Sequence, residues 1–139
     1  MNDASKPHCI AAVPLASDEC DRLLARNGFG RLGFELDGRP VIFPVNYRVV
    51  RDAVVFAADG HWVDAAVAAD AVAFEIDDHD DVGHVGWSVL VVGKIRALDG
   101  DDDACRAVAP WCGTTDATRW LGLDLREATG RRIELVDRA

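Results

Sequence analysis

The chain has 139 residues, half of them hydrophobic, which is enough to build the core of one domain. Its formal net charge is −9, from 15 Lys and Arg against 24 Asp and Glu. This charge disfavours nucleic acid or an anionic membrane surface as the main partner. No apolar run approaches the roughly 18 residues of a membrane span, and the first 17 residues contain only Lys6 as a cation. We therefore expect a cytoplasmic protein without a cleaved signal peptide.

In chain order, residues 1–16 are predicted to form a flexible N-terminal arm, and residues 17–139 a single domain. A short helix is predicted to begin near Ser17, whose hydroxyl can cap it, and to stop at Gly28. The hydrophobic period then changes to two, which predicts strands. The strands predicted along the chain are 32–36, 41–47, 54–57, 72–77, 84–98, 119–125 and 132–136.

Short helices are predicted at 61–69 and 101–108, and a turn at 127–130. Residues 84–98 are too long for one flat strand, and Gly86 and Gly93 indicate a bulge or bend within them. The whole pattern predicts a mainly β fold with short helices, in which about six antiparallel strands curl into a small barrel.

Two groups of reactive side chains favour ordinary structural explanations. The four cysteines form no CxxC pair, so buried free thiols are favoured over a disulfide framework or a catalytic thiol. His79 and His84 flank a run of aspartates, which is conceivable as a metal site. A solvated acidic loop is the more common explanation, and we predict no metal site.

The segment 38–47, GRPVIFPVNY, carries the most specific local signal. Asp37-Gly38 is hairpin-turn chemistry, and apolar residues then alternate as in a strand. Proline cannot donate to a strand ladder, so Pro44 is predicted to lie at a sheet edge or at a break in pairing. Backbone groups beside Asn46 and Tyr47 would then be free for a ligand.

With these elements placed, the chain resembles the pyridoxamine 5'-phosphate oxidase-like flavin-binding split barrels. It is most similar to the branch that contains nitroimidazole-resistance-type and many actinobacterial proteins. Trp111 and Trp120 also resemble residues of that family's C-terminal half. The matching segments, in order, are 30–34 (GRLGF), 38–47 (GRPVIFPVNY), 72–77 (VAFEID), 86–93 (GWSVLVVG) and 129–133 (TGRRI).

The resemblance implies a six-stranded antiparallel split β-barrel of Greek-key type, present as a homodimer with FMN in a cleft between the subunits. It implies an FMN-dependent oxidoreductase acting on an unknown small molecule. Oxidation of pyridoxamine 5'-phosphate itself is not indicated, because that substrate brings a second phosphate that needs its own cationic pocket. The residues that the resemblance assigns to the cofactor are Pro44, Val45, Asn46, Tyr47, Gly60, His61, Trp62, Trp87 and Ser88.

Each of these residues also has a structural explanation. Asn46 and Tyr47 could simply end a strand, Trp87 could be a core residue, and Ser88 an ordinary strand serine. Trp62 could stack on a planar ligand or pack its helix against the sheet. His61 could donate to a phosphate or be a solvated loop residue.

The segment 56–63, FAADGHWV, departs from the family pattern. Close relatives place an arginine or histidine and a lysine here to hold the cofactor phosphate, whereas this chain has Ala57 and Trp62 and adds Asp59. A dianionic phosphate needs charge-assisted donors, so the change weakens the expectation of FMN. The alternatives are a split barrel that binds a deazaflavin or haem, and a non-catalytic dimeric binding protein with no cofactor.

Overall fold

The computed structural model describes residues 8–26, 28–100, 103–106, 118–126 and 128–137. These residues form nine strands and three short helices. The elements are β1 (His8–Pro14), α1 (Ser17–Leu24), β2 (Gly28–Leu36), β3 (Arg39–Val50), β4 (Ala53–Ala58), α2 (Trp62–Ala68), β5 (Val72–Asp80), β6 (Val85–Gly93), β7 (Ile95–Leu98), α3 (Asp103–Arg106), β8 (Arg119–Asp124) and β9 (Ala128–Asp137).

All nine strands belong to one antiparallel sheet in the order β1-β9-β6-β5-β2-β3-β4-β8-β7. The prediction of a mainly β, antiparallel fold with short helices is therefore confirmed, and this arrangement is consistent with a split barrel. The predicted number of six strands is wrong, because the described residues form nine strands in a sheet that no ladder closes.

Two segments account for most of the difference in strand number. Residues 84–98 change partners at Lys94: β6 pairs with β5 and β9, whereas β7 pairs with β8. The bend lies next to Gly93, as the glycine there indicated, whereas Gly86 remains in regular pairing. In addition, His8–Pro14, within the segment predicted as an arm, pairs with β9 as β1.

The predicted meander is present as β2, β3 and β4, joined by tight turns. Asp37 and Gly38 have φ values of 52° and 78°, and Arg51 in the next turn has 55°. The turn predicted at 127–130 is instead the start of β9 from Ala128. Here Gly130 packs closely, because a Cβ on it would lie 2.7 Å from the Cys20 sulfur.

Side chains alternate between the two faces of the sheet. The inner face is the one whose side chains are buried, with Leu32, Phe56, Phe74, Val89 and Leu121 fully shielded from solvent. Helices α1 and α2 add their own buried residues to this core, which are Cys20, Leu23, Leu24, Val63 and Ala66. The opposite side of β2, β3, β5 and β6 is called the outer face below.

The helices are short and lie close to their predicted positions. Helix α1 begins at Ser17, although Ala16 occupies the N-cap and no side chain caps it. Helix α3 lies inside the predicted 101–108 helix. The other four residues of that prediction lie outside the described part of the chain. The thiols of Cys20 and Cys105 are buried, as predicted for ordinary structural thiols, and that of Cys105 donates to the Asp99 carbonyl at 3.2 Å. No helix in the described part of the chain is long and apolar enough to cross a membrane.

Candidate functional site

Strand β3 has a partner strand on both sides only at Tyr47. It pairs with β2 from Arg39 to Tyr47, but with β4 only from Tyr47 to Val50. Pro44 lies in the one-sided stretch, opposite Arg31 of β2. This agrees with the prediction that Pro44 lies at a sheet edge or at a break in pairing, because it has a partner strand on one side only. Within the described ranges, β3 therefore has one edge open to a ligand between residues 39 and 46.

The four candidate residues of β3 are divided between the two faces of the sheet. Pro44 is exposed and Asn46 half-buried on the outer face, whereas Val45 and Tyr47 are buried on the inner face, 5 % and 2 % exposed. The Tyr47 hydroxyl donates to the Leu24 carbonyl at 2.9 Å, and burial raises its pKa to about 12. Within one chain Tyr47 therefore anchors α1 to the sheet, and its hydroxyl already has a partner.

The turn between β4 and α2 contains the other predicted cluster. His61 is exposed beside Gly60, whose φ of 120° is in the region that favours glycine. The Trp62 indole stacks on Phe43, with ring centroids 4.6 Å apart and an angle of 9° between the planes. It also meets Phe34 at 5.8 Å. One face of Trp62 is thus used to pack α2 against the inner side of β2 and β3.

Two cations near this turn are already engaged by α2. Arg119 lies opposite Ala58 in the β4–β8 ladder and forms an ion pair with Asp64 of α2. Lys94 donates to the carbonyls of Val67 and Ala69, at 3.3 and 3.1 Å, and so caps the C-terminal end of α2. Arg119 and Lys94 are therefore both engaged by the helix itself.

Strand β6 places its two candidates on opposite faces. Trp87 lies on the inner side and lines a cavity of 170 Å³ together with Tyr47 and Phe29, below the roughly 300 Å³ of a typical ligand pocket. Ser88 is on the outer face, opposite Asp77. Two strands lie between β6 and β3, so Ser88 and Asn46 are about 14 Å apart, measured across the strands. One chain therefore does not bring these two segments together.

Near the acidic hairpin, His79 lies 3.2 Å from Asp81, and both line a 360 Å³ cavity with His84. In the described residues, no three His, Cys, Asp or Glu side chains are grouped as metal ligands.

A cluster that the sequence reasoning missed lies at the centre of the outer face. Arg31 of β2 contacts two acids of β5, Glu75 at 3.1 Å and Asp77 at 3.0 Å. The alternation of 72–77 already places both acids on one face, since Phe74 and Ile76, which alternate with them along the strand, point inward. The register that brings Arg31 beside them cannot be obtained from the sequence, because it depends on the β2–β5 ladder.

Comparison with known proteins identifies the family. A family model described as pyridoxamine 5'-phosphate oxidase matches residues 16–132. The chain belongs to this family. The predicted resemblance to pyridoxamine 5'-phosphate oxidase-like split barrels is thereby confirmed.

The chain is also similar to three mycobacterial proteins. It is 36 % identical over 140 residues to the uncharacterized protein Rv0080 of Mycobacterium tuberculosis, covering 94 % of this chain and 91 % of that protein. A FAD-binding protein of Mycobacterium smegmatis is 32 % identical, with a TM-score of 0.66 and coverage of 88 % and 98 %. A FAD- and haem-binding protein of the same organism is 15 % identical, with a TM-score of 0.69 and coverage of 88 % and 82 %, and shares the fold.

The two parts of the candidate site differ in how well they suit a family cofactor. The open edge of β3 at Val45 and Asn46 can donate and accept hydrogen bonds along a planar ring. The β4–α2 turn does not suit a phosphate dianion, because it has Ala57 and Trp62 and the nearby Arg119 is paired with Asp64. The described residues of this oxidase-family chain thus fit an isoalloxazine ring better than a terminal phosphate.

Proposed function

We propose that the chain binds a flavin between two copies of itself and acts as a flavin-dependent oxidoreductase on a small molecule. The observation that carries the proposal is the open edge of β3 from Arg39 to Asn46, with Pro44 in its middle. Family membership and a 32 % identical relative that binds FAD support the choice of a flavin.

The open edge of β3 has backbone groups that can bind a ligand. Successive residues of a strand direct their backbone groups to opposite edges, so about half of the N–H and C=O groups here have no partner strand. These groups can hydrogen-bond to the edge of a planar heterocycle and fix its orientation. Asn46 adds a side-chain amide at the same edge. A bound flavin supplies the electron transfer, and the chain supplies orientation and exclusion of water.

The outer face supports the homodimer. One row across four strands consists of apolar or small residues in register: Ile42, Gly33, Ala73 and Val92. Ile42 is 70 % exposed, and Val92 and neighbouring Leu90 are more than a third exposed. A contiguous exposed apolar row is typical of an interaction surface. The proposal requires the second copy to bring β6, with Trp87 and Ser88, to the β3 edge of the first.

The charge of the β4–α2 turn determines which flavin is favoured. A charge-assisted hydrogen bond to phosphate contributes about 1.5–3 kcal/mol, and this turn has Asp59 and Asp64 where a dianion needs donors. We therefore propose that the phosphate of FMN adds little to binding here. The FAD-binding relative favours FAD, whose adenosine can make contacts that FMN lacks.

Riboflavin, FMN and FAD test this proposal, because they share the isoalloxazine ring and differ in the phosphate. Each is titrated into the apoprotein and followed by the quenching of flavin fluorescence. We expect all three to bind, with riboflavin and FMN within about tenfold of one another, or 1.4 kcal/mol. Ala57→Arg should raise the affinity for FMN and leave that for riboflavin unchanged. Failure of all three to bind at about 1 mM would overturn the flavin proposal.

A cofactor-free dimeric binding protein is the second candidate, favoured by the engagement of Arg119 and Lys94 by α2. It predicts a dimer that binds none of the three flavins. The same titration with a deazaflavin and with haem covers the other two cofactor classes, and a chain that takes up either one in place of a flavin would favour that class instead.

A further inference from the structure

The outer face that is proposed to meet a second copy has an unbalanced charge at its centre. A single nitrogen of Arg31, Nη1, lies 3.1 Å from Glu75 Oε1 and 3.0 Å from Asp77 Oδ2. Two carboxylates thus share one guanidinium nitrogen. All three side chains are a third to a half exposed, so water still solvates the surplus negative charge.

The neighbouring elements do not supply a second cation in direct contact. On β3, Pro44 lies opposite Arg31, and on β6, Leu90 lies opposite Glu75 and Ser88 opposite Asp77. On this side of the sheet, His79 follows Asp77 two positions along β5, and Arg131 of β9 lies opposite Ser88, about 10 Å from Asp77. The cluster of Arg31, Glu75 and Asp77 has a net charge of −1 when both acids are ionised.

The two acids of the cluster are not equivalent. Burial raises the pKa of Glu75 above its ordinary value, and the hydrogen bond and like charge of Asp77 raise it further, while Arg31 opposes the shift. Glu75 is therefore protonated more readily in the single chain than an ordinary glutamate is. Covering the face removes water from the carboxylate, which disfavours its charged form still more.

We propose that association of two copies through the outer face is coupled to uptake of a proton at Glu75, so that the dimer is stabilised as pH falls. This inference rests on the proposed homodimer and adds its regulation. The sign follows from linkage: a group whose pKa rises on association binds protons on association. The association constant then increases by up to about tenfold per pH unit for each proton taken up, and a dimer contains two Glu75 residues.

Sedimentation equilibrium of the full-length protein between about pH 5.5 and pH 8 measures this coupling. We expect the dissociation constant of the wild type to increase with pH. Glu75→Gln, which keeps the shape and removes the charge, should dimerise at least as tightly at the upper pH and show a flat profile. Glu35→Gln is the matched control, since Glu35 is exposed on the same side of β2 two positions beyond Gly33, and it should keep the wild-type slope.

The possible outcomes distinguish the proton coupling at Glu75 from the proposed dimer itself. A dimer whose pH profile is the same in the wild type and in Glu75→Gln would overturn the proton coupling and leave the dimer intact. A monomer at every pH would overturn the proposed dimer and the coupling with it. Ile42→Asp, placed in the apolar row, should dissociate the dimer at every pH, and a dimer that it leaves unchanged would show that association uses another face. Circular dichroism at each pH confirms that the chain is folded.

Discussion

The two faces of β3 differ in what they do for the molecule. On the inner face, Phe43, Val45 and Tyr47 pack against Trp62, the core and α1. On the outer face, Ile42 and Pro44 are exposed, although they alternate with these core residues along the same strand. A difference of one position thus separates residues that stabilise the fold from residues available to a ligand or a second copy. Changes on the inner face should alter stability, and changes on the outer face should alter assembly.

The largest expected effect comes from Phe43→Ala compared with its neighbour Ile42→Ala. Removing the Phe43 ring takes away the surface on which Trp62 stacks, and we expect a loss of about 3 kcal/mol in the free energy of unfolding. At protein concentrations at which the chain is monomeric, Ile42→Ala should stay within about 0.5 kcal/mol of the wild type, because the side chain is exposed in the single chain. Urea denaturation measures the free energy of unfolding of both variants. Equal losses would show that the inner-face and outer-face side chains contribute equally to stability.

A smaller effect is expected at Gly30 on β2, which lies opposite Val45. A Cβ at Gly30 would lie 2.3 Å from the ring of buried Phe74, so Gly30→Ala should destabilise by about 2 kcal/mol.

Phe74→Leu, combined with Gly30→Ala, tests the cause. The smaller side chain removes the ring atoms from the contact, so the alanine should lower stability less in this background than in the wild type. The same loss in both backgrounds would assign the effect of Gly30→Ala to the β2 backbone.

The smallest expected effect is that of Tyr47→Phe, which leaves the buried Leu24 carbonyl without its donor. We expect a loss of about 1 kcal/mol near neutral pH. Because the pKa of Tyr47 is raised to about 12, the neutral form stabilises the fold fully below pH 10, and this contribution is lost as pH rises through 12.

The stability of the wild type should therefore fall more steeply than that of Tyr47→Phe between about pH 10 and pH 12. Parallel pH profiles of thermal unfolding would contradict the role of the buried hydroxyl.

The sequence predicted the parts of the fold that depend on local pattern. Alternating residues located β2, β3 and β5, and the missing N–H of Pro44 indicated the stretch of β3 that has a partner strand on one side only. The division of 84–98 into two strands could not be predicted, because it reflects a change of partner at Lys94. The same reason hid β1, whose pairing depends on β9.

The candidate site could be predicted less completely than the fold. Ala57 and Trp62 stand at the positions where close relatives hold the cofactor phosphate, and this change of residue type is visible in the sequence. The stacking of Trp62 on Phe43 is not, because it depends on where α2 packs. The resemblance assigns Tyr47 to the cofactor, and strand alternation places its side chain on the inner face, where it is buried in the single chain. The cluster of Arg31 with two acids needed the register of β2 against β5.

The most direct test of the central claim is the absorption spectrum of the purified full-length protein, with chromatography of any chromophore released on denaturation. A flavin site formed by the open edge of β3 predicts flavin absorption bands, and a released compound that migrates with FAD or FMN at about one per chain. A colourless protein that also acquires no flavin bands after incubation with FAD, FMN or riboflavin would contradict the account.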